Sequence, residues 1–354
     1  LTRKIIETKV EMENEERRRC ACTGGALTRK IIETKVEMEN EERRCGSMID
    51  RLKKQMMEYF VGKEEVIENL LICFLTGGHV LLEDVPGVGK TTLAKVLAKS
   101  VQCDFGRIQF TPDTLPGDVT GVSIYNRKTE SFEYRAGAVM HQILLADEIN
   151  RTSPKTQASL LEAMAEGQVT VDDRAYQLPV PFIVIATQNP VEFVGTYPLP
   201  EAQMDRFMMK LKIGYPKEEE EIRMARNFLN GRGIYEVCGV CSVRDILFMQ
   251  EKVKQVHISD VVLVYIRQII EATRKEPSFV LGASPRAFLF LMRASQAKAF
   301  LAGRDFVKPD DVKAVCVNTL HHRLTLTSEA RIRKEETGRL LKEIMLRVKV
   351  PADV

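Results

Sequence analysis

The chain has 354 residues, with 52 Lys and Arg against 49 Asp and Glu and a formal net charge of +3. So balanced a charge gives no electrostatic case for a nucleic-acid partner, and no apolar run approaches the ~20 residues of a membrane span. Eight cysteines are scattered along it. The five beyond residue 47 are Cys73, Cys103, Cys238, Cys241 and Cys316, an odd number that argues against a disulfide framework and points to a cytoplasmic protein. Cys238-Gly-Val-Cys241 has metal-ligand spacing, but no second pair or nearby His completes a site, so a loop with two small thiols is the simpler reading.

Leu1 to Arg18 and Leu27 to Arg44 are identical, letter for letter. Natural repeats drift, and repeat folds need at least three units. Residues 1–47 therefore read as a duplicated engineered tag or linker, set aside from functional reasoning; a natural two-repeat arm is the alternative. Met48 to Phe60 and Glu64 to Leu75 have helical periodicity. A short apolar strand, His79 to Leu82, follows.

Glu83 to Thr92 reads Glu-Asp-Val-Pro-Gly-Val-Gly-Lys-Thr-Thr. Strand, Gly-rich turn, Lys-Thr and helix is the order a phosphate-binding loop requires. Gly87 and Gly89 let the backbone N–H groups converge on an anion at the start of a helix. Pro86, Gly87, Val88, Gly89, Lys90, Thr91 and Thr92 are the expected ATP contacts. Lys90 is expected to reach the β- and γ-phosphates, and Thr91 to ligate Mg²⁺. The usual pattern has Gly where this chain has Asp84.

Arg107 to Thr111 is a second strand. Val119 to Tyr125 and Ser131 to Tyr134 alternate as a hairpin. Gln142 to Glu148 is a buried strand ending in Asp147-Glu148, which fits a nucleotide hydrolase. Asp147 is expected to hold Mg²⁺ and Glu148 to polarise the attacking water. Lys155 to Glu166 is helical, a second hairpin surrounds Asp172-Asp173, and Phe182 to Thr187 is a strand. Asn189 beyond its tip is placed to hold the lytic water; the plainer role is a turn residue before Pro190. Met208 to Ile213 is a fifth strand.

Together these stretches resemble the MoxR family of AAA+ ATPases. The resemblance is carried by Glu83 to Thr92, Leu144 to Arg151, Leu160 to Met164, Ala186 to Pro190, Tyr197 to Gln203 with Asp205-Arg206-Phe207, and Gly282 to Arg286. Glu-Asp before Val-Pro-Gly also occurs in that family. The resemblance implies an α/β fold, an α/β/α sandwich of five parallel strands in order 5-1-4-3-2 with a C-terminal all-α lid. It implies two hairpin inserts and a homo-oligomeric ring, usually of six subunits. It makes Arg206 an arginine finger facing a neighbour's γ-phosphate; the alternative is a local ion pair with Asp205. It makes Arg286 the lid arginine that meets phosphates held by the first domain.

From Tyr215 the composition changes. Glu218 to Gly231, Val243 to Val256, Asp260 to Lys275, Pro285 to Ala302 and Asp310 to Leu320 are helical with no strands between. Ser284 caps a helix with Pro285 at its first position. Glu329 to Val348 is basic and amphipathic, and its partner is not legible. The domains expected are 48–214 for the nucleotide-binding core and 215–354 for the lid.

The function expected is Mg²⁺-dependent ATP hydrolysis driving remodelling, assembly or activation of a protein partner. Family resemblance points to partners with a von Willebrand factor A domain. The alternatives are a nucleic-acid motor, which the charge disfavours, a metal-chelatase ATPase subunit, and a non-hydrolysing switch, which Glu148 disfavours.

Overall fold

A computed structural model describes residues 45–85, 87–189, 195–231 and 233–351. The duplicated peptide as far as residue 44 and the expected contact Pro86 lie outside the described residues. The chain divides between Arg51 and Leu52, and the unit Leu52–Val354 holds both the sheet and the helices around it.

Three short runs make the centre of the sheet. In β1 (Val80–Glu83), β5 (Ile143–Asp147) and β8 (Ile183–Gln188) the aliphatic positions are fully buried. Continuous apolar runs of this kind suit parallel strands covered on both faces. With β2 (Phe105–Gln109) and β9 (Met209–Leu211) they form a five-stranded sheet in the order β2-β5-β8-β1-β9. All its pairings are parallel. Renumbered within the sheet, this is the expected 5-1-4-3-2 order. On one face, Leu81, Phe110, Leu144, Leu160, Leu161 and Phe207 share a buried cluster.

Helix α1 (Glu64–Leu75) precedes β1, and α2 (Lys90–Ser100) follows it. Strand β2 lies two residues before its expected position. Its pairing with β5 ends at Gln109↔Asp147, after which Pro112 cannot continue a ladder. The first insert also differs. Val119 and Thr120 belong to a short helix, α3 (Pro116–Thr120), and the hairpin is β3 (Gly121–Asn126) with β4 (Ser131–Ala136). Helix α4 (Pro154–Glu166) leads to the second hairpin, β6 (Gln168–Val171) with β7 (Arg174–Gln177). The two hairpins stack through Tyr134 and Tyr176, with ring centroids 3.9 Å apart.

His79, at the foot of β1, fixes a pH dependence. Val184 N–H donates to its Nδ1 at 3.0 Å, so the single ring proton sits on Nε2 and goes to the Met164 carbonyl at 3.1 Å. A second proton has no acceptor, and burial pushes the ring down to about 4. The unfolded chain takes up that proton near the ordinary value of about 6.5. Stability is therefore full above pH 6.5 and falls as pH drops towards 4, with His79 costing about 3 kcal/mol over that window. His321 and His322 are also lowered by burial and act in the same direction. Denaturant titrations across this range are expected to show the loss, and a His79→Gln variant a shallower one.

After β9 comes a helical region: α5 (Glu218–Leu229), α6 (Val243–Gln255), α7 (Asp260–Lys275), α8 (Pro285–Leu301) and α9 (Pro309–Leu320). Ser242, Ser259 and Ser284 each cap the helix they precede. One expectation is corrected here. The region is not strand-free: β10 (Phe279–Leu281) pairs antiparallel with β11 (Thr325–Leu326), strands too short to show a period. The basic stretch near the end forms two helices, α10 (Ser328–Ile332) and α11 (Thr337–Arg347), with Lys334 between them at a left-handed φ of 56°.

Candidate nucleotide site

The loop between β1 and α2 is built as its sequence demands. Gly87 and Gly89 have φ of 87° and 90°, a region that costs a side chain 1–2 kcal/mol or more and Gly very little. Gly89 is the N-cap of α2, so Lys90, Thr91 and Thr92 form its first turn. Lys90 Nζ donates to the Asp84 carbonyl at 2.6 Å. Partial burial lowers the Lys90 ammonium from its ordinary value, while Asp147, Asp84 and Glu148 pull the other way. Lys90 is thus the cation in the field of three carboxylates. Beside Gly87 and Val88, a cavity of about 350 Å³ opens against Tyr215, Pro216, Glu221 and Met224.

Asp84 replaces the usual Gly for a reason visible in its contacts. Its Oδ2 accepts from Ile213 N–H and Gly214 N–H, both at 2.6 Å, and Oδ1 accepts from Val85 N–H at 2.9 Å. The carboxylate pins the root of the loop to the chain leaving β9. Asp84→Ala leaves two buried donors unpaired, with an expected cost of about 2–3 kcal/mol, read as a lowered denaturation midpoint.

Asp147 and Glu148 stand at the tip of β5. Thr187, at the tip of neighbouring β8, donates its hydroxyl to Asp147 Oδ1 at 2.6 Å and accepts from Glu148 N–H at 2.9 Å. Glu148 itself has φ 57°, a strained conformation for a non-Gly residue that clusters at functional sites. From the other side, Arg107 holds Asp147 Oδ2 at 2.8 Å. Gln109 and Arg151 hold Glu148 Oε2 at 2.7 and 3.0 Å. Sequence reasoning missed Arg107, Gln109 and Thr187. The signal was available in the strand order, which places the ends of β2 and β8 on either side of β5. Asn189 is buried and directly follows Gln188, which pairs with Glu83 at the root of the loop. Its carbonyl accepts from Asn150 at 3.5 Å.

Arg206 and Arg286 are elsewhere. Strands β1 and β9 run parallel, so residues just before β9 lie at the end of the sheet away from the loop that follows β1. Met208 N–H indeed donates to the His79 carbonyl, at 2.8 Å. At ~3.3 Å per residue, β1 separates the two ends by ~13 Å. Arg206 donates there to the Leu161 carbonyl. The expected alternative of a pair with Asp205 is not what forms, because the Asp205 carboxylate faces Arg323 at 2.8 Å and Arg286 at 3.6 Å. Arg286 thus stands beside Asp205, the residue that precedes Arg206. The expectation that it meets phosphates held by its own first domain is corrected: its partner Asp205 precedes β9, at the far end of the sheet.

Among the described residues, no helix is long and apolar enough to cross a membrane, and no cluster of three or more His, Cys, Asp or Glu is placed to hold a metal.

Comparison with known proteins agrees with this geometry. The family described as "ATPase family associated with various cellular activities (AAA)" matches residues 79–209, and an AAA lid domain matches 271–344. The chain is 51% identical over 306 residues to the uncharacterized protein YeaC of Bacillus subtilis, covering 86% of this chain and 94% of that protein. It is 40% identical over 293 residues to the chaperone MoxR1 of Mycobacterium tuberculosis, covering 80% of this chain and 77% of that one. A crystal structure of a candidate ATPase from Cytophaga hutchinsonii is 41% identical, with a TM-score of 0.84 over 89% of this chain and 98% of that one. With a phosphate loop, an acidic strand tip and a helical lid in one chain, and a MoxR relative matched over most of both lengths, this chain belongs to the MoxR family of AAA ATPases.

Proposed function

We propose that this protein binds Mg²⁺-ATP at the Gly87 to Thr92 loop and hydrolyses it to drive a conformational change in a protein partner. The observation that carries the reading is the glycine loop after β1 with Lys90 in the first turn of α2, set at the same end of the sheet as the Asp147-Glu148 tip of β5, two strands away. The oxygen donors at hand, the Thr91 hydroxyl and the Asp147 carboxylate, suit Mg²⁺. When bound there, the ion would neutralise developing charge on the phosphates. Lys90 leaves the Asp84 carbonyl for the phosphates. Glu148 leaves Gln109 and Arg151 to polarise water, and Asn189 orients that water. The tyrosine-lined cavity beside Gly87 takes the base.

One subunit then holds only half of the machinery. Arg206 and Arg286 face away from their own loop, which is the placement expected of groups that complete a neighbour's site in a homo-oligomeric ring, hexameric in our reading. The chaperone naming of MoxR1 supports a protein client; a von Willebrand factor A domain in that client and a cytoplasmic location complete the proposal. The core is assigned to 48–214 and the lid to 215–354.

The test has two arms. The purified chain is expected to hydrolyse ATP, to lose turnover in EDTA and to recover it with added Mg²⁺. A Glu148→Gln protein, locked on ATP, is expected to retain a protein client. Stimulation by DNA instead of protein would favour a nucleic-acid motor, and stimulated metal insertion into a tetrapyrrole a chelatase subunit.

A further inference from the structure

We propose that Asp205, fixed by the buried Arg323, is a positioning residue that sets the lid-borne Arg286 and the core-borne Arg206 in one register, so that both reach a neighbour's nucleotide as a unit. This rests on the trans reading of those two arginines.

The contacts that carry it converge from three elements. Arg323 follows the C-terminal end of α9, and its side chain is 1% exposed. It donates to the Asp205 carboxylate and carbonyl and to the carbonyls of Phe207, Met208 and Thr319. Its guanidinium lies over the Phe290 ring at 4.9 Å. Phe290 is four residues after Arg286 on α8, hence on the same helix face. The other Asp205 oxygen takes Arg286 at 3.6 Å, and the Ser284 hydroxyl lies 3.3 and 3.4 Å from the two oxygens. One carboxylate, adjacent in sequence to Arg206, is thereby shared by three donors from the lid.

The charge balance separates positioning from mere anchoring. A buried cation needs a partner, and Arg323 with Asp205 meets that need. Burial lowers Arg323 to about 10 against the pull of Asp205, so it stays charged at neutral pH. Arg286 is the surplus cation. Its side chain is 51% exposed, and among the described ion pairs its acidic partner is Asp205, already committed to Arg323. A guanidinium held in place by a shared carboxylate is readily yielded to a triphosphate. Anchoring the lid alone does not require it, since buried ion pairs are often replaced by apolar residues without loss of stability.

The experiment mixes full-length subunits. A Lys90→Ala donor keeps its arginines but not its own nucleotide, and an Arg206→Ala acceptor keeps its nucleotide site. Turnover of the mixture reports donor arginines acting at acceptor sites. Asp205→Asn in the donor is expected to lower that turnover by about 10²-fold, the loss typical of a group displaced by ~1 Å. In the acceptor, the same change is expected to leave the mixture's turnover unaltered. Asp205→Asn combined with Arg323→Met removes both charges; in the donor it is expected to recover the melting temperature lost by Asp205→Asn but not the turnover. Equal losses from donor and acceptor, no loss from the donor, or recovery of turnover together with stability would each overturn the proposal. No turnover in the starting mixture, with subunit exchange confirmed, would instead overturn the trans reading on which it rests.

Discussion

Replacing Arg206 with alanine is expected to lower ATP turnover by ~10³–10⁵-fold, the range for an arginine supplied to a phosphoryl-transfer site from a neighbour. ATP affinity at the subunit's own loop is expected to stay as it was. The size follows from where charge develops. A fixed guanidinium meets the transition-state oxygens at no reorganisation cost, and its planar fork is not reproduced by a lysine point charge, so Arg206→Lys is expected to remain low. The competing account makes Arg206 a surface residue, worth ~0–1 kcal/mol in an ion pair. Its observed bond goes to the Leu161 carbonyl, and losing that alone affects turnover little. Steady-state ATPase rates and nucleotide titrations on the same preparation separate the two accounts.

Glu148→Gln is expected to lower turnover by ~10²–10⁴-fold, the contribution of a positioned general base, with ATP still bound. Lys90→Ala is expected to lose binding itself. The distinction follows from position. Lys90 opens α2 inside the loop, whereas Glu148 sits on the next strand but one, anchored through its N–H by Thr187. Glutamine keeps the shape and the contact with Gln109 but cannot take a proton. Full hydrolysis by Glu148→Gln would remove Glu148 as the base.

Much of this was legible because short-range chemistry dictated it. The loop glycines, the Ser284 cap and the apolar runs of β1, β5 and β8 each declare themselves within a few residues. The Asp84 departure was legible as an oddity but not as a device, since its partners Ile213 and Gly214 are more than a hundred positions away. The same holds for Arg107 and Gln109, which meet Asp147 and Glu148 only once β2 is seated beside β5. The position of Arg286 was misread because a helix start fixes where a residue sits on its helix, not which end of the sheet that helix approaches. Asp205 decides that, through a contact spanning 79 positions between the Ser284 cap and the core.

The central claim is that the site is split between two subunits, and one mixing measurement addresses it directly. Lys90→Ala and Arg206→Ala proteins, each inactive alone, are combined under conditions where subunit exchange is verified, and ATP turnover is followed as their ratio is varied. Activity is expected to return and to peak at intermediate ratios, where intact phosphate loops most often meet intact arginines. A mixture that stays as inactive as its components at every ratio would contradict it.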